Sequence, residues 1–280
     1  MVNYRDARTA LAEIEVGISN LATSEGWTAY LETAAKFHNY SLNNLMLIAL
    51  QKPDATRVAG YRTWQSFGRQ VRKGENGIRI LAPMIGQERN DNGETTGESR
   101  VYGFKTVAVF DLSQTDGDEI PEAPVERLRG EAPEGLMKRL IEYGKEIGFE
   151  TGFVPDLGGA NGSTYFAGVN RIQILNTNDQ LQQVKTMAHE LGHALLHADN
   201  TNQLSRAQKE LEAESVAFVV CRALGVVSDD YSFGYVLTWA GDDVEATTLL
   251  RASASRIVKA ADAIIKFLER IEESQKETAA

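Results

Sequence analysis

The sequence predicts an α+β protein of two domains, and three observations carry that prediction. Apolar residues recur at three- and four-residue spacing near both ends of the chain, the period of a helix with one buried face. Residues 71–112 change to strand texture, with glycine-marked turns between apolar runs. The run SQTDGDEIPEAPVERLRGEAPEG (113–135) then holds three of the six prolines and many acids, a composition typical of a connection between domains.

In chain order, Ala10, Leu11, Ile14, Ile18 and Leu21 predict a helix over residues 6–22, and Trp27, Tyr30, Leu31 and Ala34 continue its period. A second helix is expected over 42–50, closed by Pro53. VRKGENGIRILAP places a Gly-rich turn before a strand at 78–83, and VYGFKTVAVFDL supplies its antiparallel partner. The intervening GQERNDNGETTGES (86–99) is polar, Gly-rich and without period, and is expected to be a loop. After the connection come a helix over 133–147, a strand within STYFAGVNRIQIL (163–175) and then helices to a last one at about 245–273. The expected partition is 1–117, a linker at 118–132, and 133–280.

Composition removes several classes of function. With 42% hydrophobic and 24% charged residues the chain is globular in type. The N-terminus has no unbroken apolar stretch of the secretory kind, and no apolar run reaches the roughly 18 residues of a membrane span, so no membrane partner is expected. The single cysteine, Cys221, excludes a disulfide framework and suits a reducing, cytoplasmic setting; it reads as a buried thiol rather than a nucleophile. The net charge of −10 is unevenly spread: residues 1–112 carry 13 Lys/Arg against 12 Asp/Glu, and the rest 16 against 27. Residues 57–81 hold Arg57, Arg62, Arg69, Arg72, Lys73 and Arg79 against Glu75 alone, the one stretch suited to an anionic partner.

The most informative string is HELGHALLH. His189, Glu190 and His193 form H-E-x-x-H within an apolar helical segment. Residues four apart share a helix face, so both imidazoles can reach one cation, with the Glu190 carboxylate beside it. That arrangement is the chemistry of a catalytic zinc site, which needs a third protein ligand and an open position. His197, about 12 Å of helical rise from His189, is too far along one helix to join both and is better suited to support or packing. Glu210 and Glu214, at i and i+4 in KELEAESVAFVV, are the better candidates. One can ligate while the other accepts a hydrogen bond from a ligand imidazole. Glu212 is expected to face solvent.

HELGHALLH followed by E-x-x-A resembles the ImmA/IrrE-like branch of the gluzincin metallopeptidases, over residues 135–225. The resemblance implies a zincin-like C-terminal domain, one Zn2+ per chain, His189, His193 and Glu210 as ligands, and Glu190 as general base. Glu214 opens a second E-x-x-A and would otherwise be an acid behind a ligand. In the first half, the N-x-L, Y-x-x-W, G-x-x-V-x-K-G-E-x-G and V-F-D-x-x-Q-T elements resemble the N-terminal single-stranded-DNA-binding domain of ArdC-type antirestriction proteins. Such proteins are carried by plasmids, phages and integrative elements, and join this domain to a C-terminal metallopeptidase-like one. DNA contact is then expected from Asn44, Tyr61, Trp64, Arg69, Arg72 and Lys73, which combine cations and stacking surfaces in one window. The protein partner would be an unknown substrate or a host restriction component. Tyr165, Tyr231 and Tyr235 are candidates to stabilise an oxyanion. Two other functions fit the same residues: a regulatory metalloprotease cleaving a repressor, or a non-enzymatic DNA-binding protein whose zinc only fixes the fold.

Overall fold

The computed structural model describes residues 9–12, 14, 18, 21–89, 95–119, 132–166, 168–198, 204–226 and 244–279. Helices and sheets are mixed, and the chain divides into two compact units. The first comprises Met1–Asn20 and Leu42–Pro121; the second comprises Leu21–Ser41 and Glu122–Ala280. The division is therefore not a single cut: the helix α1 (Ser24–Lys36) belongs to the second unit. It is held there by Trp27, whose indole N–H donates to Ser215 Oγ at 3.0 Å, and by Tyr30, whose hydroxyl donates to the Ala254 carbonyl at 2.8 Å. Of the helix expected at 6–22, residues 9–12, 14 and 18 are helical, with Ala10, Ile14 and Ile18 buried; Leu21, which is buried, and Ala22 lie in a turn, and the remaining positions lie outside the described residues.

In the first unit, α2 (Leu42–Gln51) faces a three-stranded antiparallel sheet of order β1–β4–β3, with β1 Val58–Gly60, β3 Ile78–Arg89 and β4 Thr95–Asp111. A short helix α3 (Tyr61–Ser66) leads to β2 (Arg69–Val71), which pairs with β5 (Thr115–Gly117). Two amides one helical face apart on α2 protect the edge strand β3. Asn44 gives and takes a bond with the Leu81 backbone at 3.0 and 2.8 Å, and Gln51 does the same with Arg79 at 2.8 Å each. Side chains thus imitate a neighbouring strand and close the edge to aggregation.

The segment expected to be a loop is largely strand. Gly86 pairs with Arg100, Gln87 with Ser99 and Arg89 with Thr95, so β3 and β4 form one long ribbon around residues 90–94, which lie outside the described residues. Ile85, Val101 and Tyr102 in this ribbon are exposed, so these positions give a sequence reading no buried face to detect.

The F-D-x-x-Q-T element is the knot of this unit. Fully buried Asp111 accepts from the backbone N–H groups of Thr56 (2.7 Å), Arg57 (3.0 Å) and Ser113 (2.9 Å). Gln114 accepts from the Asp111 N–H and donates to Glu75 and to the Asn76 carbonyl. Burial raises the Asp111 pKa, but the bonds from Ser113, Thr56 and Arg57 outweigh it, and the net shift is downward.

The second unit sets α4 (Leu136–Glu146), α5 (Gln180–His197), α6 (Arg206–Ala223) and α7 (Val244–Ala279) with a three-stranded mixed sheet. Its order is β6–β8–β7, with β6 (Glu150–Val154) parallel to β8 (Arg171–Leu175) and β7 (Gly162–Tyr165) antiparallel to it. The single strand expected at 163–175 is thus a pair. Ile172 and Ile174 of β8 are buried. Asp179 and Ser205 cap α5 and α6 by accepting from Gln182 N and Gln208 N. Among the described residues no helix is long and apolar enough to cross a membrane. The stretch expected to link domains, 118–132, lies mostly outside the described residues.

Removing the Asp111 knot should be costly. Asp111→Ala is expected to destabilise the first unit by about 2–3 kcal/mol, since it deletes a cap and strands three backbone donors. Because the folded pKa is depressed, this stabilisation is present above the ordinary Asp value of 3.8 and lost as pH falls through the folded value. Urea midpoints of wild type and variant should therefore converge in acid; midpoints equally separated at pH 7 and pH 3 would contradict the account.

Candidate metal centre

The site lies where α5 and α6 cross. Gly192 makes that crossing close: a Cβ there would stand 3.0 Å from Ala213 Cα and 3.2 Å from the Ala213 carbonyl oxygen. With no side chain at 192, α6 comes down on α5 and brings Glu210 onto the two imidazoles. Glu210 Oε2 lies 3.4 Å from His189 Nε2 and 3.6 Å from His193 Nε2, and the two Nε2 atoms are 3.1 Å apart. These three residues can hold a metal ion. Ligands about 2.0–2.1 Å from a tetrahedral zinc are themselves separated by about 3.3 Å. The donor atoms therefore already stand at ligand spacing.

Glu214 plays a different part from Glu210. Its Oε2 lies 3.1 Å from His189 Nδ1, on the far side of that ring, and its Oε1 is 3.6 Å from Lys185 Nζ. Glu190 is buried, and its Oε2 accepts from Thr164 Oγ1 on β7 at 2.7 Å. Gly162 makes room for it, since a Cβ at that position would meet Glu190 Oε1 at 2.7 Å. Glu190, both ligand imidazoles, Lys185 and Arg206 line a cavity of about 620 Å³ that also takes in β7 residues 162–164.

The charges around these imidazoles call for a cation. Burial opposes a charged His189, but its bonds to Glu210 and Glu214 and the nearby Glu190 charge overcome this and raise its pKa to about 9. Bonds to His189 and His193 hold Glu210 far below the ordinary carboxylate range. Glu214 is also lowered, because its bonds to His189 and Lys185 outweigh burial.

Glu212 does not face solvent as expected. It is completely buried, 3.1 Å from His197 Nε2 and in an ion pair with Arg256. His197, also buried, stands behind His193 with their Nδ1 atoms 2.9 Å apart. Burial lowers the His197 pKa despite the bond to Glu212. Tyr165 is exposed on β7, and Tyr231 and Tyr235 lie outside the described residues. Cys221 is buried and reduced.

Of the residues read as a DNA surface, Tyr61, Arg72 and Lys73 border one groove, while Asn44, Trp64 and Arg69 are committed within the fold. Trp64 is buried and donates its indole N–H to the Phe110 carbonyl at 2.8 Å. Asn44 is committed to β3. Arg69 is held by Thr115, Gly117 and Asp118, and Arg72 by Glu75 and Asp116. Tyr61 and Lys73 remain exposed, and they border an open groove with Gln70, Arg72 and Phe110.

Comparison with known proteins agrees with this architecture. Residues 7–110 match the family described as the N-terminal domain of anti-restriction factor ArdC, and residues 153–221 match the IrrE N-terminal-like domain, a peptidase family. The two matches follow one another in the order ArdC N-terminal domain, then IrrE-like peptidase domain. Two crystal structures of the antirestriction protein ArdC from R388 plasmid share the fold. The metal-free one is 24% identical with a TM-score of 0.52, covering 82% of this chain and 84% of that one. The Mn(II)-bound one is 22% identical with a TM-score of 0.56, covering 91% and 97%. An uncharacterized Bacillus anthracis protein, pXO2-81, is 26% identical over 293 residues; the match takes in 87% of this chain, which spans about half (49%) of that relative's length.

Because the site depends on the bare backbone at 192, Gly192→Val should force α6 away and withdraw Glu210. Zinc affinity is expected to fall by at least tenfold, alongside a stability loss of about 1–3 kcal/mol. A competition titration against a chromogenic chelator measures the first and urea unfolding the second. Unaltered zinc affinity would disprove the link between helix approach and ligation.

Proposed function

We propose that this chain is an ArdC-like antirestriction protein of a mobile element, acting in the cytoplasm. Its first unit binds single-stranded DNA, and its second is a zinc-dependent metallopeptidase. The observation that carries the reading is the convergence of His189, His193 and Glu210 at ligand spacing, with the Glu190 carboxylate in the same cavity. Two imidazoles and one carboxylate suit zinc, and the existence of a Mn(II)-bound structure of a protein with this fold supports a divalent metal.

When bound, the metal supplies Lewis acidity toward a peptide carbonyl and an attacking water. Glu190, held in position by Thr164, would take the proton of the attacking water and return it to the leaving amine. Strand β7 is an edge of its sheet and borders the cavity, so an extended peptide can add to it as a further strand. The same geometry supports a second reading, regulatory cleavage of a repressor or other partner protein. DNA contact falls to Tyr61 as a stacking surface and Lys73 as a phosphate contact, at the groove they border. The sequence order 1–117, 118–132 and 133–280 remains the proposed order of DNA-binding domain, linker and peptidase domain, except that residues 21–41 group with the second unit.

Elemental analysis of wild type should find about one zinc per chain, absent from His193→Ala. Glu190→Gln should keep the metal and lose about 10²–10⁴-fold in peptide hydrolysis. Cells that restrict unmodified incoming DNA separate the two readings: protection by Glu190→Gln assigns antirestriction to DNA binding, and its loss assigns it to cleavage. A hydrolysis rate equal to wild type in Glu190→Gln would remove Glu190 from the chemistry.

Tyr61→Ala should weaken binding of a fluorescent single-stranded oligonucleotide by about 1–3 kcal/mol, the worth of one stacked base. Lys73→Ala should flatten the dependence of log affinity on log salt by about 0.7. Binding unaffected by both substitutions would move the DNA site away from this groove.

A further inference from the structure

The two ligand imidazoles are supported differently from behind. His189 presents its Nδ1 directly to Glu214, which leans on Lys185. His193 presents its Nδ1 to another histidine, and the carboxylate comes one step later: His197 Nε2 to Glu212 Oε2 at 3.1 Å, then Glu212 to Arg256. Glu212 is wholly buried and His197 nearly so, and Ser253, also fully buried, accepts from Arg256 at 3.0 Å. A buried carboxylate needs such partners to stay ionised.

Only one direction of hydrogen bonding satisfies every member. Glu212, ion-paired with Arg256, accepts, so His197 Nε2 carries a hydrogen. A neutral His197 then has its lone pair on Nδ1 and accepts from His193 Nδ1–H. That leaves the lone pair of His193 on Nε2, the atom that converges with His189 Nε2 and Glu210 Oε2. Reversing the bond between the histidines would put a hydrogen on His193 Nε2, where a metal ligand needs a lone pair.

We infer that His197 is a positioning residue for the metal centre: accepting at Nδ1 and donating from Nε2 to the buried Glu212–Arg256 pair, it holds His193 in the ligating tautomer and orientation. The inference rests on the proposed metal site and adds a role for three residues outside the H-E-x-x-H motif. Helix α5 thus carries three histidines at four-residue spacing, with ring centroids 4.8 and 5.1 Å apart, of which two face the metal and the third faces the protein interior.

The test uses the full chain with ¹⁵N-labelled histidine, metal-free and loaded with Zn2+ alone. Long-range proton–nitrogen spectra of the loaded protein should show His197 with its hydrogen on Nε2 and His193 with its hydrogen on Nδ1. In chelator competition, His197→Leu should bind zinc about 10–100-fold more weakly than wild type. His197→Asn, whose Oδ1 can take the place of the accepting Nδ1, should recover most of that loss, a rescue that mere space-filling would not produce. Glu212→Gln should also weaken binding. A hydrogen on Nδ1 of His197, or zinc affinity in His197→Leu within twofold of wild type, would overturn the inference while leaving the ligand set intact. Failure of wild type to bind zinc would overturn the site and this inference together. Should His197→Leu not fold, the wild-type spectra still decide.

Discussion

The second unit depends on one close approach, that of α6 to α5 over Gly192. Side-chain volume at that position would separate the helices, and the contacts of the three α6 glutamates with the α5 histidines cross the gap between them. Glu210, Glu212 and Glu214 reach His193 and His189, His197, and His189 respectively from α6. Packing in this case sets electrostatics: carboxylates and imidazoles are brought together, and the pKa values of His189 and Glu210 move apart. A divalent cation relieves the same imbalance that protonation of His189 relieves in its absence.

The helix pair also explains why three glutamates within five residues have three different surroundings. Positions two apart on a helix differ by about 200° and positions four apart by only about 40°, so Glu210 and Glu214 share the face toward His189 while Glu212 is turned away from them. Glu210 reaches the cavity, Glu214 the back of His189, and Glu212 the interior toward α7. The last is tolerable only because Arg256 and His197 await it; replacing one partner leaves a buried charge uncompensated, which typically costs about 3–5 kcal/mol.

This geometry marks where sequence reading succeeds and where it stops. The H-E-x-x-H pair was legible because both members lie on one helix, whose repeat alone brings residues 189 and 193 to one side. Glu212 was not, because α6 is buried at nearly every position from 211 to 221, so no polar face marks which side meets solvent. The β3–β4 ribbon failed for the opposite reason: Ile85, Val101 and Tyr102 are exposed and mark no buried face. The placement of α1 in the second unit depends on bonds spanning 188 and 224 residues, which no local pattern contains.

The basic window of the first unit shows a further limit on reading charge from sequence. Formal charge counts a cation whether or not the fold uses it. Arg69 spends its guanidinium on Thr115, Gly117 and Asp118, closing the β2–β5 pair, and Arg72 spends its own on Glu75 and Asp116. Breaking those contacts to engage a phosphate would exchange existing bonds for new ones, with little net gain. An exposed lysine such as Lys73, with no ion-pair partner among the described residues, gives up no such contacts. The part of this window available to a nucleic acid is therefore smaller than its net charge suggests. In the proposed complex with single-stranded DNA, stacking at exposed rings such as Tyr61 would then carry a larger share of affinity than phosphate contacts, and that share would be insensitive to salt.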